Sequence, residues 1–360
     1  MSQAVEVHQH ERTTRVLVAV LTFRRPLQLE LGLPHIAAQS AALSRQRGPG
    51  GERYDVRVLV VDNDPEGSGA AALPEAGMAN GHVRYVLEPT PGISAGRNRA
   101  IDEAGDSDVL VFIDDDELPQ EHWLARLLET WQSTGAAAVA GRVVPRYERA
   151  PDAWILAGDF FVRRSLATGT EISVAAAGNL LLDMGQVRGT GVRFDEQFGM
   201  TGGEDTLFTR RLHRTGCRMV WCDESVVEDL IPADRLSRAW VLLRAWSHGN
   251  STSLIDIHLA QGALATTRTR VVWAARGLVR VLAGGARVLL GYARQSLRDR
   301  ARGSRTLCRG AGMLAGAVGY AYEEYSRPQP AGDGPPRWQR PLVRRMDQLR
   351  GRAVPCEPGD

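Results

Sequence analysis

Lysine is absent from this 360-residue sequence, and all 44 basic residues other than histidine are arginines. The absence excludes chemistry that depends on a lysine amine, including Schiff-base formation and the phosphate-binding lysine of a P-loop. It also means that arginine carries every fixed positive side-chain charge of the protein. A single arginine is therefore weak evidence for a binding site.

Cysteine, net charge and long apolar runs are also scarce. The cysteines have neither the spacing of a zinc site nor the pattern of a secreted disulfide framework. A formal net charge of +2 favours no nucleic acid, so we expect no such partner. No apolar run is long enough to span a bilayer, and residues 1–14 lack the apolar core of a signal peptide. We therefore expect a cytoplasmic protein.

What the sequence does contain is an alternation of short apolar runs with helical patterns. The runs are rich in β-branched residues, as buried strands are, and cover residues 16–21, 56–61, 83–87 and 109–113. A helical pattern follows the first run over residues 27–42, and Ser94 begins another that ends near Ala104. This alternation predicts an α/β fold with a mostly parallel sheet flanked by helices.

Acidic residues directly follow two of the predicted strands. Asp62 ends one of them, and Asp114, Asp115 and Asp116 end another. The carboxyl ends of parallel strands share one edge of a sheet, where open α/β sheets bind their ligands. Carboxylate oxygens at that edge suit Mg²⁺ or Mn²⁺, which usually also contacts substrate phosphates. A solvated turn before the next helix, at residues 121–124, is the alternative interpretation.

Five segments resemble, in order and in spacing, the motifs of family 2 glycosyltransferases. They are VAVLTFRRP, VVDN, GISAGRN, FIDDD and GED, at residues 18–26, 60–63, 92–98, 112–116 and 203–205. The resemblance covers residues 14–255. It implies the GT-A fold, in which a nucleotide-binding α/β half joins an acceptor-binding half. It also implies inverting transfer of a sugar from a nucleoside-diphosphate sugar to an acceptor hydroxyl.

The resemblance further implies roles for the acidic residues. Asp116 would ligate the divalent ion, which offsets negative charge on the departing phosphate. Asp114 would contact the ribose or the waters of the ion, and Asp115 fits either role. Asp205 would be the general base, with Glu204 orienting the acceptor or the base. Asp205 could equally cap the helix over residues 206–214, and the two roles are compatible.

Other positions are implied to bind the nucleotide sugar: Thr22, Phe23, Arg24, Asp62, Arg97 and Asn179. Asp62 would hydrogen-bond the base, and Arg97 would approach the diphosphate. An exposed helical arginine is the alternative for Arg97. For Asn179, a hydrogen-bonded amide in the core is the alternative to a contact with the donor sugar.

The sequence departs from the family pattern at one place. Many members carry a histidine about two dozen residues after the acidic pair, which completes the shell of the metal ion. Residues 226–229 occupy that region here and contain no histidine. Glu228 could ligate the ion instead, or water and phosphate could complete its shell.

The region after residue 255 is predicted to be a helical, arginine-rich extension over residues 256–326, and residues 1–13 and 327–360 to be flexible tails. Arg276, Arg280, Arg287 and Arg294 fall on one narrow face of an ideal helix, which Gly284 and Gly285 are expected to interrupt. Such a face suits an anionic membrane surface and a lipid-linked acceptor. A helical hairpin packed on the catalytic domain, with its arginines in water, is the alternative.

Two other functions compete with glycosyl transfer. A sugar nucleotidyltransferase also uses a nucleotide-binding sheet and a metal ion, but residues 22–26 lack the glycines expected of its first loop. A non-catalytic scaffold at a membrane surface would have no need for acidic residues at both 114–116 and 204–205.

Overall fold

The computed structural model describes residues 13–47, 51, 53–73 and 81–323. Its strands are β1 (Thr13–Thr22), β2 (Arg53–Asp62), β3 (Val83–Leu87), β4 (Val109–Asp114), β5 (Glu117–Pro119), β6 (Ala138–Tyr147), β7 (Asn179–Asp183) and β8 (Met219–Ile231). Its helices are α1 (Pro26–Arg45), α2 (Ile93–Glu103), α3 (Trp123–Thr134), α4 (Ala153–Ala157), α5 (Met184–Arg188), α6 (Glu204–Arg214), α7 (Arg238–His258), α8 (Ala263–Ala293) and α9 (Leu297–Ala317).

The strands form one eight-stranded sheet in the order β3-β2-β1-β4-β7-β6-β8-β5. The first four strands are mutually parallel, as the alternation of strands and helices predicted. Strand β7 runs antiparallel to both of its neighbours, and β5 runs antiparallel to β8. The predicted α/β sheet flanked by helices is therefore confirmed, although its second half is mixed.

Strand β1 is apolar from Val16 to Leu21, where it lies between β2 and β4 with both faces covered. Alternate residues of β1 enter two different cores, Val16, Val18 and Val20 on one face and Leu17, Ala19 and Leu21 on the other. The first core is completed by α1 and α3, and the second by α2 and α6. Burial on both faces explains why the strand shows no alternation of polar and apolar residues.

Strand β8 is much longer than its apolar beginning suggests. The sequence predicts a strand over residues 219–222, whereas β8 continues to Ile231 and pairs with β6 along its length, with a register shift after Gly141. Its second part alternates between buried and partly exposed side chains, and one buried position is the acidic residue Asp229. A charged residue on the buried face conceals the strand from a search for apolar residues.

The chain forms two compact units. Among the described residues, the first unit runs up to Ala150 and also contains Phe161–Met200 and Glu204–Ala233, and the second contains Pro151–Phe160, Thr201–Gly203 and the residues from Asp234 onward. The boundary predicted after residue 255 falls inside α7, and these units do not decide the predicted limits of the functional domain. The predicted flexible tails lie outside the described residues, except for Thr13, which begins β1.

The second unit contains a helical hairpin, α8 and α9, which pack closely through glycines. Gly277, Gly284 and Gly291 of α8 recur every seven residues and are buried. A Cβ atom on Gly284 would lie 2.5 Å from the Leu307 backbone nitrogen of α9. The expected interruption at Gly284 and Gly285 is wrong, because α8 continues through both. Gly284 does not break the helix. It allows the backbones of α8 and α9 to approach closely.

None of the helices among the described residues has the length and apolarity needed to cross a membrane.

Adjacent glycines of α8 provide a matched pair for testing this packing. Gly284→Ala should destabilise the protein by about 1–3 kcal/mol, because backbone atoms of α9 would have to move. Gly285→Ala should stabilise it by about 0.5–1 kcal/mol, because its Cβ would meet only Leu307 Cδ1 at 3.9 Å and alanine favours helix. Urea unfolding measures both effects. Equal changes in the two variants would contradict the close packing of α8 on α9.

Candidate active site

The site is built where the parallel strands of the first unit end. In the register of the sheet, Thr22 of β1 lies beside Asp62 of β2, and Leu21 lies beside Asp114 of β4. The predicted acidic residues thus meet at one edge of the sheet. Thr22 also donates its hydroxyl to Asp115 Oδ2 at 2.8 Å, which connects the two strand ends directly.

Seven carboxylates gather at this edge, and we call them the carboxylate cluster: Asp114, Asp115, Asp116, Glu117, Glu204, Asp205 and Asp229. Their electrostatic influence on one another links them across β4, β5, β8 and α6. Three arginines pair with members of the cluster, namely Arg25, Arg97 and Arg163. If every carboxylate were ionised, negative charges would exceed these arginines by four.

Arg25 occupies a central position among the acids that follow β4. Its Nη1 atom donates to Asp115 Oδ1 at 3.1 Å and to Asp116 Oδ2 at 2.9 Å. The predicted metal ligand Asp116 therefore pairs with an arginine in this structure. Arg25 was not among the site residues predicted from the sequence, although its place after β1, next to Arg24, was the available signal.

Arg97 is a buried ion-pair partner and not an exposed helical arginine. It pairs with Glu204, which is itself buried, and its Nη2 atom lies 3.7 Å from Asp114 Oδ1. Its guanidinium also lies over the ring of Phe194, 5.5 Å from the centroid. Arg97 thus joins the acidic pair at the start of α6 to the acids at the end of β4. Its predicted contact with a diphosphate stays a prediction.

Asp205 begins helix α6 together with Glu204. Its Oδ1 atom accepts from the backbone N–H of Thr206 at 2.5 Å, so the side chain is held at the N-terminus of the helix. Asp205 also lies close enough to Asp114 and Glu204 to contribute to raising the pKa of each. The structure brings Asp205 into the carboxylate cluster, as a shared site requires.

Glu117 and Asp229 belong to the cluster but were not predicted. They lie opposite each other in the pairing of β5 with β8, and both are buried. Asp229 accepts from Arg163 Nη2 at 2.5 Å. Glu228, the predicted ligand, is the residue before Asp229 in the strand and faces the other way. Its carboxylate contacts Gln120 and Arg146, each at 3.1 Å, and lies apart from the cluster.

Burial and mutual repulsion shift the protonation of the cluster. Burial raises the pKa of Asp115 to about 7 although Arg25 opposes the shift, and it raises the pKa of Glu204 to about 7 against Arg97. Burial also raises the pKa of Asp114, and with repulsion from Asp114 and Asp229 it raises that of Glu117 well above its usual range. Such groups favour either a proton or a nearby cation.

A divalent cation fits this donor set chemically. Carboxylate oxygens are the ligands of Mg²⁺ and Mn²⁺, and the charge excess favours one. Within the described part of the chain, however, no three His, Cys, Asp or Glu side chains are arranged to hold a metal ion. Arginines contact the candidate ligands instead, since Arg25 contacts Asp115 and Asp116 and Arg163 contacts Asp229.

The predicted nucleotide-binding residues lie beside the cluster. Asp62 is fully buried, and its oxygens accept from the backbone N–H groups of Asp64 and Gly69 and from the Tyr85 hydroxyl. Arg24 is half exposed and lies over the Phe23 ring, 5.4 Å from the centroid. The carboxylate of Asp62 therefore holds the turn after β2, and its predicted contact with a base stays a prediction.

Asn179 lies at the start of β7 next to the cluster. Its amide accepts from Trp123 Nε1 at 2.8 Å and donates to the carbonyls of Arg142 and Ser225. These are the bonds of a satisfied core amide, and a contact with the donor sugar stays a prediction. The preceding Gly178 lies against the acids, because a Cβ there would be 2.6 Å from Glu117 Oε1.

Comparison with known proteins assigns this architecture to one family. A model described as Glycosyl transferase family 2 matches residues 19–186. The chain is 34% identical over 254 residues to the succinoglycan biosynthesis protein ExoM of Rhizobium meliloti (strain 1021), covering 69% of this chain and 78% of that protein. It is 24% identical over 221 residues to the glucosyl-dolichyl phosphate glucuronosyltransferase of Haloferax volcanii, covering 57% of this chain and 69% of that protein.

Solved structures provide a comparison of the fold. The mannosyltransferase PcManGT from Pyrobaculum calidifontis, solved with GDP-Man and Mn²⁺, superposes with a TM-score of 0.54 at 18% identity. The superposition covers 84% of this chain and 86% of that one. The likeness concerns the fold alone, and it confirms the predicted GT-A fold.

Because the pKa of Glu204 is raised, we expect the stability of the fold to depend on pH. A carboxyl whose pKa is higher in the folded than in the unfolded state stabilises the fold at low pH, and this contribution is lost as pH rises. For Glu204 the loss falls between about pH 4.5 and about 7. Glu204→Gln should therefore unfold at a temperature close to wild type at pH 5 and at a higher temperature than wild type at pH 8.

The matched control is Glu129→Gln, a partly exposed carboxylate of α3 in a helical pair with Arg126. Its unfolding temperature should differ from wild type by similar amounts at the two pH values. A Glu204→Gln variant that is less stable than wild type at pH 8 would show that the ion pair with Arg97 outweighs the burial of the carboxylate.

Proposed function

Because the chain belongs to glycosyltransferase family 2, an inverting family, we propose that it transfers a sugar from a nucleoside-diphosphate sugar to an acceptor hydroxyl within the carboxylate cluster. The observation that carries this proposal is the meeting of residues 114–116 with Glu204 and Asp205, which lie about ninety residues further along the chain. Nothing in the fold alone requires acids from β4 and from α6 at the same place.

The proposed reaction is one displacement at the anomeric carbon. The acceptor oxygen forms a bond to that carbon as the bond to the diphosphate breaks, and the nucleoside diphosphate leaves with the electron pair. Asp205 takes the proton of the acceptor hydroxyl, a role that is supported by its position at the start of α6 beside the acids that follow β4. Glu204, held by Arg97, orients the acceptor or the base.

Mg²⁺ or Mn²⁺ is proposed to be held by Asp116 and Asp114, with Asp229 in place of the predicted Glu228. Bound there, the ion would offset the charge that develops on the leaving diphosphate. Arg25 would have to release Asp116, and Arg163 would have to release Asp229, for this to happen. The guanidinium of Arg25 could then pair with Asp115 alone, whose contact with Thr22 keeps it at the strand end.

The nucleotide is proposed to lie beside the turn after β1, between Thr22, Phe23 and Arg24 on one side and Asp62 on the other. Arg24 contributes a half-exposed positive charge there. Arg97 is proposed to face the diphosphate through the edge that lies near Asp114. Asn179 is proposed to approach the donor sugar from β7, through its position beside Ile113 in the sheet.

The acceptor is proposed to be a lipid-linked saccharide at the cytoplasmic face of a membrane. The names of the two relatives support this class, since one denotes biosynthesis of a polysaccharide and the other transfer to a glucosyl-dolichyl phosphate. The product would then be an extended saccharide for a polysaccharide or glycolipid of the cell envelope.

Asp205→Asn tests the proposed base. Turnover should fall by about a hundredfold or more, because the amide cannot accept the hydroxyl proton. Affinity for the donor, measured by calorimetry, should remain near wild type. Turnover is measured as release of nucleoside diphosphate from a panel of nucleotide sugars with Mn²⁺ and a lipid-linked glucoside. Glu196→Gln, an exposed carboxylate of the same unit, is the control that should retain wild-type turnover.

Three outcomes would contradict this assignment in different ways. Wild-type turnover in Asp205→Asn would remove Asp205 as the base. Release of pyrophosphate by the wild-type protein would identify a sugar nucleotidyltransferase. Binding of nucleotide sugars without turnover of any of them would favour a non-catalytic scaffold.

Arg25→Gln tests the competition between arginine and metal. The affinity for Mn²⁺ without nucleotide, measured by calorimetry, should rise by about fivefold, because the ion no longer displaces a guanidinium. Asp116→Asn should lower the same affinity. Arg24→Gln is the control, because Arg24 pairs with Asp64 and Glu66 and with no member of the cluster among the contacts described. An unchanged affinity in Arg25→Gln would place the ion away from Asp116.

A further inference from the structure

Helix α8 exposes an apolar face along its whole length. Leu264, Val271, Leu278, Leu282 and Leu289 follow one another at intervals of seven or four residues, which places them on one side of a helix. Each is more than half exposed, from 51% at Leu278 to 87% at Leu264. Large apolar side chains in such a row are rare on a surface that faces only water.

The opposite side of α8 is already occupied. Gly277, Gly284 and Gly291, together with Trp273, are the buried residues of this helix. At 100° per residue they lie roughly half a turn away from the exposed row. Packing against α9 therefore cannot cover the exposed row, and a different partner is needed for it.

The charge of α8 indicates which kind of partner would cover the exposed apolar row. Helix α8 contains five arginines and no acidic residue. Arg268 and Arg276 are exposed. At 100° per residue Arg268 lies beside the apolar row and Arg276 lies further round the same flank, beyond the exposed Val272 and Val279, whereas Arg280 lies on the side that packs against α9. An apolar face bordered by arginines is the pattern of a helix that lies in the interface of an anionic bilayer. The arginines reach the phosphate groups while the apolar side chains enter the acyl layer.

A groove at this flank supports the same assignment. It has a volume of about 470 Å³, lies between α7 and α8, and is lined by Leu264, Arg268, Val272, Trp273, Arg276 and Asp256. The carboxylate of Asp256 accepts from the Trp273 indole at 2.9 Å. Two arginines thus border the groove with apolar side chains between them, an arrangement suited to the phosphate of a lipid headgroup.

A second copy of this chain fits the surface less well. A symmetric dimer brings the same patch of both copies together, so two arginine flanks without acids on α8 would meet. Like charges brought together in an interface oppose association. An anionic lipid surface neutralises the same arginines.

We propose that α8 is the membrane-binding surface of this protein, with the row from Leu264 to Leu289 in the acyl layer and Arg268 and Arg276 on lipid phosphates. The proposal specifies the surface by which the enzyme reaches a lipid-linked acceptor. It rests on the side chains of α8 and not on the proposed transferase activity, so vesicle binding tests it independently of turnover.

The test is co-sedimentation of the full-length protein with lipid vesicles. Wild type should bind vesicles of phosphatidylcholine and phosphatidylglycerol, should bind pure phosphatidylcholine much more weakly, and should lose binding as salt is raised. Leu278→Glu with Leu282→Glu should abolish binding to both. Arg268→Gln with Arg276→Gln should weaken binding to the anionic vesicles by about thirtyfold, with little effect on neutral ones.

Matched controls lie on the other unit. Leu27→Glu changes an exposed leucine of α1, and Arg126→Gln changes an exposed arginine of α3; both should bind as wild type does. Circular dichroism establishes that each variant is folded. Absence of wild-type binding to anionic vesicles would overturn the proposal. So would a wild-type dimer in analytical ultracentrifugation that Leu278→Glu with Leu282→Glu dissociates while vesicle binding is unaffected, because the row would then be a contact between copies.

Discussion

The surplus of carboxylates over arginines at the carboxyl edge of the sheet is the constraint upon which the site depends. Seven acids share this edge with three paired arginines, and burial raises the pKa of several of them. A fold selected for stability alone would place apolar or hydrogen-bonded neutral groups there, because unpaired buried charge is destabilising. A cation bound at this edge would offset the mutual repulsion of these carboxylates.

Three arginines each contact different members of the carboxylate cluster. Arg25 holds Asp115 and Asp116, Arg97 holds Glu204, and Arg163 holds Asp229. In the described part of the chain, these arginines occupy the carboxylates that could otherwise converge on a metal ion. The pairing also gives Arg97 a role in the architecture, since its buried guanidinium connects the acids of β4 to the start of α6.

The second unit is distinguished by the close packing of two helices. Helices α8 and α9 approach closely because glycines replace side chains on the contact face. Larger apolar residues of α8, from Leu264 to Leu289, remain exposed on the opposite side of the helix. Arginine abundance alone carries little information in a protein without lysine, but arginines beside an exposed apolar row are the pattern on which the proposed membrane contact rests.

The sequence by itself predicted the α/β fold and the family, because both depend on local runs of residues and on their order. It also indicated the acids at 114–116 and 204–205 as candidates for one site. Only the tertiary structure decided which neighbours complete the site. Glu117 and Asp229 come together through the pairing of β5 with β8, and the alternation of side chains along β8 turns Asp229 toward the cluster and Glu228 away from it. Neither the pairing partner nor the face of a strand is contained in a single segment, because both arise from contacts between residues more than a hundred positions apart.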